Sequence, residues 1–220
     1  ERHSRSKMSF ELHSLINEIL TKRYKGEAIL KAKLVEMFIT KKVTSAFEIK
    51  VNNSRVDFCK VNGDTVSYEI KSGIDNLNKL AKQINDYEKV FEYNYIVVDE
   101  IHHQSAQKLI PEHYGIYVFS KNKLIEDRSA LLNQNLDPAI QLSLFTKREL
   151  LQSFKIFSTH IEVIKEQYGS SEINEHFKIM LKKRYLKKWK FLKDNFSNIL
   201  PIDYQYFFHH NIEPAVIYGH

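Results

Sequence analysis

The chain is poor in cysteine, glycine and proline, and each shortage narrows what it can be. A single cysteine, Cys59, in 220 residues excludes an internal disulfide framework. There is no Cys-X-X-Cys and no His-Glu-X-X-His, so zinc chemistry has no ligand set. Gly-X-Gly-X-X-Gly and Walker A loops are also missing, which argues against a nucleotide cofactor. Six glycines and four prolines are too few for an all-β chain crowded with turns. No apolar run approaches the roughly 18 residues of a membrane helix. With no signal-like start, the expectation is a reduced, cytoplasmic protein without a membrane partner. The polar stretch Glu1–Lys7 before Met8 is given no functional weight.

What is present suits an ordinary folded domain. Apolar residues make up 43% of the chain, enough for a core. A net charge of +6 and a pI near 9.1 fit a polyanion partner, nucleic acid in particular.

The pattern along the chain predicts an α/β (α+β) fold. Residues 9–22 and 26–39 read as helices, and Ala28, Leu30, Leu34, Met37 and Phe38 share a face of the second. Phe47–Val51 alternates as a strand. Arg55–Val61 and Thr65–Lys71 flank Asn62-Gly63-Asp64 as a hairpin. A helix over Asp75–Phe91, a strand at Tyr95–Val98, a helix at His102–Leu109 and a strand at Gly115–Phe119 follow. This order gives a sheet of about five strands with helices packed on it. Strand signals stop after about Ser120. Thr146–Tyr168 and Glu172–Phe196 read as two long helices. The expected division is an N-terminal helix and leader (1–23), a core (24–132), a linker (133–145) and a helical, basic C-terminal extension (146–220).

The hairpin register decides which acids can act together. A two-residue turn would pair Val61 with Asp64 and send Glu69 to the face away from Asp57. A three-residue loop pairs Val61 with Thr65 and sets Asp57 opposite Glu69. The second register keeps Val56, Phe58, Val66, Tyr68 and Ile70 on one face. It collects Arg55, Asp57, Cys59, Ser67, Glu69 and Lys71 on the other, so burial selects it. Two carboxylates held close raise each other's pKa unless a cation joins them. Mg²⁺, with Mn²⁺ as an alternative, takes such oxygen ligands, binds phosphate oxygens and acidifies a bound water. Lys71 points the same way and can orient that water or contact the phosphate. The plain alternative is a surface ladder of ion pairs.

Arg-Val-Asp57-Phe, then Tyr-Glu69-Ile-Lys71-Ser, then a helix carrying Gln83 and Tyr87, resembles the PD-(D/E)XK nuclease superfamily, and in particular a subfamily of small bacterial nuclease-like proteins. The resemblance covers roughly residues 24–120. It implies a restriction-endonuclease-like αβββαβ core. It also implies metal binding by Asp57 and Glu69, with the Ile70 carbonyl as a third ligand, and a water-assisting role for Lys71. A helix before the sheet often supplies one more acid in that superfamily. Glu27 is the match, with Glu36 and then Glu48 as alternatives. Gln83 and Tyr87, four apart on one helix face, are implied to contact the site or the substrate backbone.

Lys178–Lys193 carries eight cations and no acid, beside an apolar stripe of Leu181, Tyr185, Trp189, Leu192 and Phe196. The stripe reads as core. Lys183, Lys187 and Lys190 share an outer face that can meet phosphates. His102, His103, His113, His209 and His210 read as polar residues of loops or helices, with His103, beyond a strand end, as the alternative of a substrate contact. The expected function is Mg²⁺-dependent hydrolysis of phosphodiester bonds, in DNA before RNA, by an endonuclease for which a homodimer is compatible. The alternative is a catalytically silent nuclease-like protein that binds nucleic acid or serves as an accessory.

Overall fold

A computed structural model describes residues 11–24, 26–155 and 159–209. Glu1–Lys7, the start of the first predicted helix and His210 lie outside the described residues. Residues 11–18 are helical (α1) and run into a π-helical turn, Ile19–Arg23. Helix α2 spans Glu27–Phe38. Strands β1 (Thr44–Val51), β2 (Ser54–Asn62) and β3 (Asp64–Lys71) follow as a meander. Helix α3 (Leu80–Tyr87) leads to β4 (Tyr93–Asp99). A 3₁₀ turn, Glu100–His102, and α4 (His103–Leu109) lead to β5 (Gly115–Ser120) and β6 (Lys123–Arg128).

The fold is α+β, a six-stranded mixed sheet in the order β1-β2-β3-β4-β5-β6 with helices on both faces. The β1/β2, β2/β3 and β5/β6 pairs are antiparallel, and β3/β4 and β4/β5 are parallel. The parallel pairs need the crossovers that α3 and α4 supply. Val61 lies opposite Thr65 and Phe58 opposite Tyr68, the register that the apolar alternation requires. The loop is tighter than three free residues, because Asn62 also pairs with Asp64 around Gly63 at φ 80°. Glycine takes that left-handed conformation without a Cβ penalty.

Alternation sorts the core into two layers. Phe58 packs against Phe38 (5.8 Å between centroids), Phe47 (5.0 Å), Tyr68 (5.8 Å) and Trp189 (6.2 Å) on one face. Ile96, Val98 and Ile116 meet Leu80 and Ile84 of α3 and Ala106 of α4 on the other. Cys59 is buried within the larger apolar cluster rather than gathered with the acids.

Four local expectations change. The sixth strand was missed because Lys-Leu-Ile-Glu-Asp-Arg is an exposed, charged edge with little apolar alternation. Lys121 (φ 48°) and Asn122 (φ 62°) form the two-residue hairpin turn before it. Helix α3 is shorter than Asp75–Phe91. The Asp75 carboxylate accepts from Ser72 N (2.8 Å) and Oγ (2.6 Å), and Asn76 Oδ1 accepts from Asn78 N (3.1 Å). Such local bonds compete with a helix start.

The expected long helix Thr146–Tyr168 is instead α6 (Lys147–Ser153) and α7 (Ile161–Gln167). Between them Phe154 leaves the helical conformation and is fully buried. The segment 133–145 holds α5 (Pro138–Ser143), capped by Asp137. It is pinned by Asn133 Nδ2 to the Glu88 and Phe91 carbonyls, at 2.6 and 2.9 Å. Helix α8 (Ser170–Asp194) buries Leu181, Trp189 and Leu192 in the same core as β1 and β2, and a short α9 (Tyr206–His209) follows. No helix among the described residues is long and apolar enough to cross a membrane.

Candidate functional site

The hydrogen-bonded ladder between β2 and β3 stops at Phe58↔Tyr68. One step further along the same register, where Asp57 stands against Glu69, the Asp57 Oδ2 carboxylate oxygen accepts the Ile70 N–H instead, at 2.7 Å. Both flanking helices reach this end of the pair, α2 through Lys31, 3.9 Å from Asp57, and α3 through the Tyr87 hydroxyl, 2.8 Å from the Arg55 carbonyl.

Asp57 meets two further acids. One carboxylate oxygen each from Glu27, Glu48 and Asp57 lies within 4.8 Å of the others. Glu27 is the first residue of α2. Glu48 stands opposite Asp57 on β1, between the pairs Phe47↔Phe58 and Ile49↔Val56, with φ 56°. A left-handed glutamate within a strand costs about 1–3 kcal/mol and persists only where surrounding structure enforces it. Here that backbone accompanies a carboxylate turned to the acid cluster. Glu36, the other α2 candidate, is exposed and pairs with Lys33 at 2.8 Å, so it takes no part.

Glu69 lies next to Asp57 but outside this group of three, and its carboxylate is held by other partners. Its Oε1 accepts from Lys71 Nζ at 2.6 Å and from Gln83 Nε2. The Tyr87 hydroxyl lies 2.8 Å from Glu69 Oε2 and 2.8 Å from the Arg55 carbonyl. Gln83 and Tyr87 therefore share one helix face and clamp one carboxylate. Asp86, on the same helix, ties down the β1–β2 turn through Ser54 Oγ at 2.5 Å and Asn52 Nδ2 at 3.3 Å. Glu69 and Lys71 are buried at 3% and 8% exposure.

Sequence reasoning missed the centre of the cluster. Lys31 is buried and places its ammonium 2.7 Å from Glu27, 2.8 Å from Glu48 and 3.9 Å from Asp57. Gln205 Oε1 accepts from the same ammonium at 2.6 Å. A signal existed for Lys31: it is four residues after Glu27 and three and four before Leu34 and Val35, on the core-facing side of α2. Gln205 has no such signal.

Burial, then repulsion from Glu69, pushes the Asp57 carboxyl well above its ordinary pKa, against the pull of Lys31 and the Ile70 N–H. Burial also raises Glu69, opposed by Lys71, Tyr87 and Gln83. For Lys31 burial acts downward, but Asp57, Glu27 and Glu48 outweigh it, and the ammonium stays charged.

The donor set fits a hard divalent ion. With metal–oxygen distances of about 2.0–2.1 Å, oxygens on one Mg²⁺ lie roughly 2.9–4.2 Å apart. The three carboxylates need close only slightly. Gln83 Oε1, beside Glu69, is buried and accepts no hydrogen bond, an acceptor suited to a metal-bound water. The set differs from the expected one. Asp57 clusters with Glu27 and Glu48, while Glu69 is bound by α3 and Lys71, and Ile70 is engaged through its N–H.

A family model described as Bacteriophage P4 protein cII matches residues 20–207. The chain belongs to that family. The matched span of this cII-family chain encloses every residue of the acid cluster, the Glu69–Lys71 pair, the α3 clamp and Gln205. No curated protein matches. Among solved structures, a protein of unknown function from Silicibacter pomeroyi is 20% identical, with a TM-score of 0.41. The match covers 52% of this chain and 77% of that one.

The basic helix stands elsewhere. Within α8, Lys178 pairs with Glu92 at 3.2 Å and Glu175 at 2.5 Å, and Arg184 pairs with Glu149 at 2.5 Å. Lys183, Lys187 and Lys190 are exposed. The apolar side of their helix packs on the Phe58 face, away from Glu69. His103 pairs with Asp127 at 2.9 Å, and His113 lies 3.5 Å from Glu88, so neither joins the acids.

Proposed function

We propose that this chain is a divalent-cation-dependent phosphodiesterase acting on nucleic acid, DNA before RNA, built on a restriction-endonuclease-like core. The observation that carries the reading is the convergence of three carboxylates from α2, β1 and β2 beside a buried Glu69–Lys71 pair. Glu27, Glu48 and Asp57 would hold Mg²⁺ or Mn²⁺. Such an ion, when bound, supplies charge to a phosphate oxygen and acidity to a coordinated water.

The chain's own groups complete the chemistry. Glu69, with its pKa raised by burial, is poised nearer neutrality as the acceptor of the water's proton. Lys71, 2.6 Å from Glu69, orients that carboxylate and offers positive charge to the phosphoryl oxygens as negative charge develops. Tyr87 and Gln83 hold Glu69 in place. Lys183, Lys187 and Lys190 add phosphate contacts at a distance from the chemistry.

A second reading has its own observation. Lys31 already places an ammonium among the three acids, and the Arg55 guanidinium lies 3.7 Å from Glu48, as they would in a catalytically silent protein that only binds nucleic acid. Incubation of supercoiled plasmid with Mg²⁺ or Mn²⁺ separates the two. Nicking that disappears in EDTA and in Asp57→Ala is the expected result. Plasmid left intact under both ions, with nucleic acid still bound, would favour the silent reading.

A further inference from the structure

Lys31 stands where a metal ion would stand. Its side chain is only 6% exposed, whereas the Glu27 side chain beside it is 48% exposed and opens the cluster to solvent. The ammonium bonds carboxylates of Glu27 and Glu48 at 2.7 and 2.8 Å, with Asp57 at 3.9 Å. Its remaining partner is the neutral Gln205 amide, delivered by the chain 174 positions further on. Three acids this close, two of them half-buried and Glu27 exposed, repel one another, and the Lys31 ammonium offsets that repulsion.

We propose that Lys31 is a resident counter-ion that holds Glu27, Glu48 and Asp57 together in the metal-free protein and yields its place to a divalent cation. The proposal rests on the metal-dependent reading above. The displaced side chain has somewhere to go. A cavity of about 210 Å³ adjoins Lys31, walled by Leu20, Glu27, Ala28, Ile202 and Gln205. Rotation of the Lys31 stem towards it would draw the ammonium off Glu48 and Asp57 while it stays near Glu27, and would give up its present 2.6 Å bond to Gln205. Metal loading then has to break charge-assisted bonds that are already made. The wild-type protein should therefore hold the ion more weakly than its carboxylates alone would, yet keep its acids ordered without it.

The test is Mn²⁺ binding, measured by calorimetry on the full chain without nucleic acid, for wild type, Lys31→Met and Gln205→Ala. Lys31→Met keeps the length of the side chain and removes its charge. It should bind Mn²⁺ at least tenfold more tightly than wild type. In EDTA it should melt lower than wild type, and Mn²⁺ should raise its melting temperature by more. Gln205→Ala frees one bond of Lys31 and leaves every acid intact, so it should bind a few-fold more tightly and also serves if Lys31→Met fails to fold. Equal or weaker binding by the variants, with wild type binding well, would overturn the counter-ion role and leave the metal-dependent reading standing. If none of the proteins bound Mn²⁺, both would fall, and Lys31 would be a permanent member of a silent site.

Discussion

Removing one hydroxyl from α3 tests whether Glu69 is held as described. In Tyr87→Phe the ring, only 1% exposed, keeps its packing. What disappears is the contact to Glu69 Oε2 and to the Arg55 carbonyl, each at 2.8 Å. One proton serves two acceptors, so the loss amounts to one strong bond rather than two. A hydrogen bond to a charged group contributes about 1.5–3 kcal/mol, and about 2 kcal/mol is a fair centre. Unfolding entropy of about 2.1 cal/mol/K per residue over 220 residues is about 0.46 kcal/mol per degree, so the melting midpoint should fall by about 4 °C. The hydroxyl also favours the charged form of Glu69. Its loss should push that carboxyl further up and move the acid limb of a cleavage pH profile to higher pH. Thermal unfolding by circular dichroism and cleavage rates across pH read the two effects. An unchanged midpoint together with an unchanged profile would mean that Tyr87 does not clamp Glu69, and the reasoning would fail at its first link.

Asp57→Asn should abolish cleavage while stabilising the fold at pH 8. Burial and Glu69 raise the Asp57 pKa, so its contribution is fully present below the unfolded value of about 4 and is lost as pH rises through the folded value. The variant's advantage in urea unfolding should accordingly be large at pH 8 and small at pH 4, and a larger advantage at pH 4 would contradict the assignment. Reversing Lys183, Lys187 and Lys190 to glutamate should raise the dissociation constant for DNA and flatten its salt dependence. Turnover at saturating substrate should stay near wild type. A collapse of turnover with binding intact would place α8 in the active site.

The sequence alone determined the parts that depend on local periodicity. Alternation of Val56, Phe58, Val66, Tyr68 and Ile70 selected one hairpin register, and that register puts Asp57 against Glu69 and Lys71 beside it. The stripe of Leu181, Trp189 and Leu192 was likewise legible as core. Tertiary structure decided the rest, because it turns on contacts between distant segments. Lys31 and Gln205 are 174 residues apart and meet only when the C-terminal chain returns over α2. Glu48 joins the cluster through a left-handed backbone within a strand, which no propensity anticipates. The edge strand β6 has little apolar pattern to announce it and exists because β5 offers it a partner. Whether the acids would face each other or a lysine was a question of which helices pack at the end of the β2/β3 pair, where α2 brings Lys31 and α3 brings Tyr87. That depends on the whole core rather than on any run of residues.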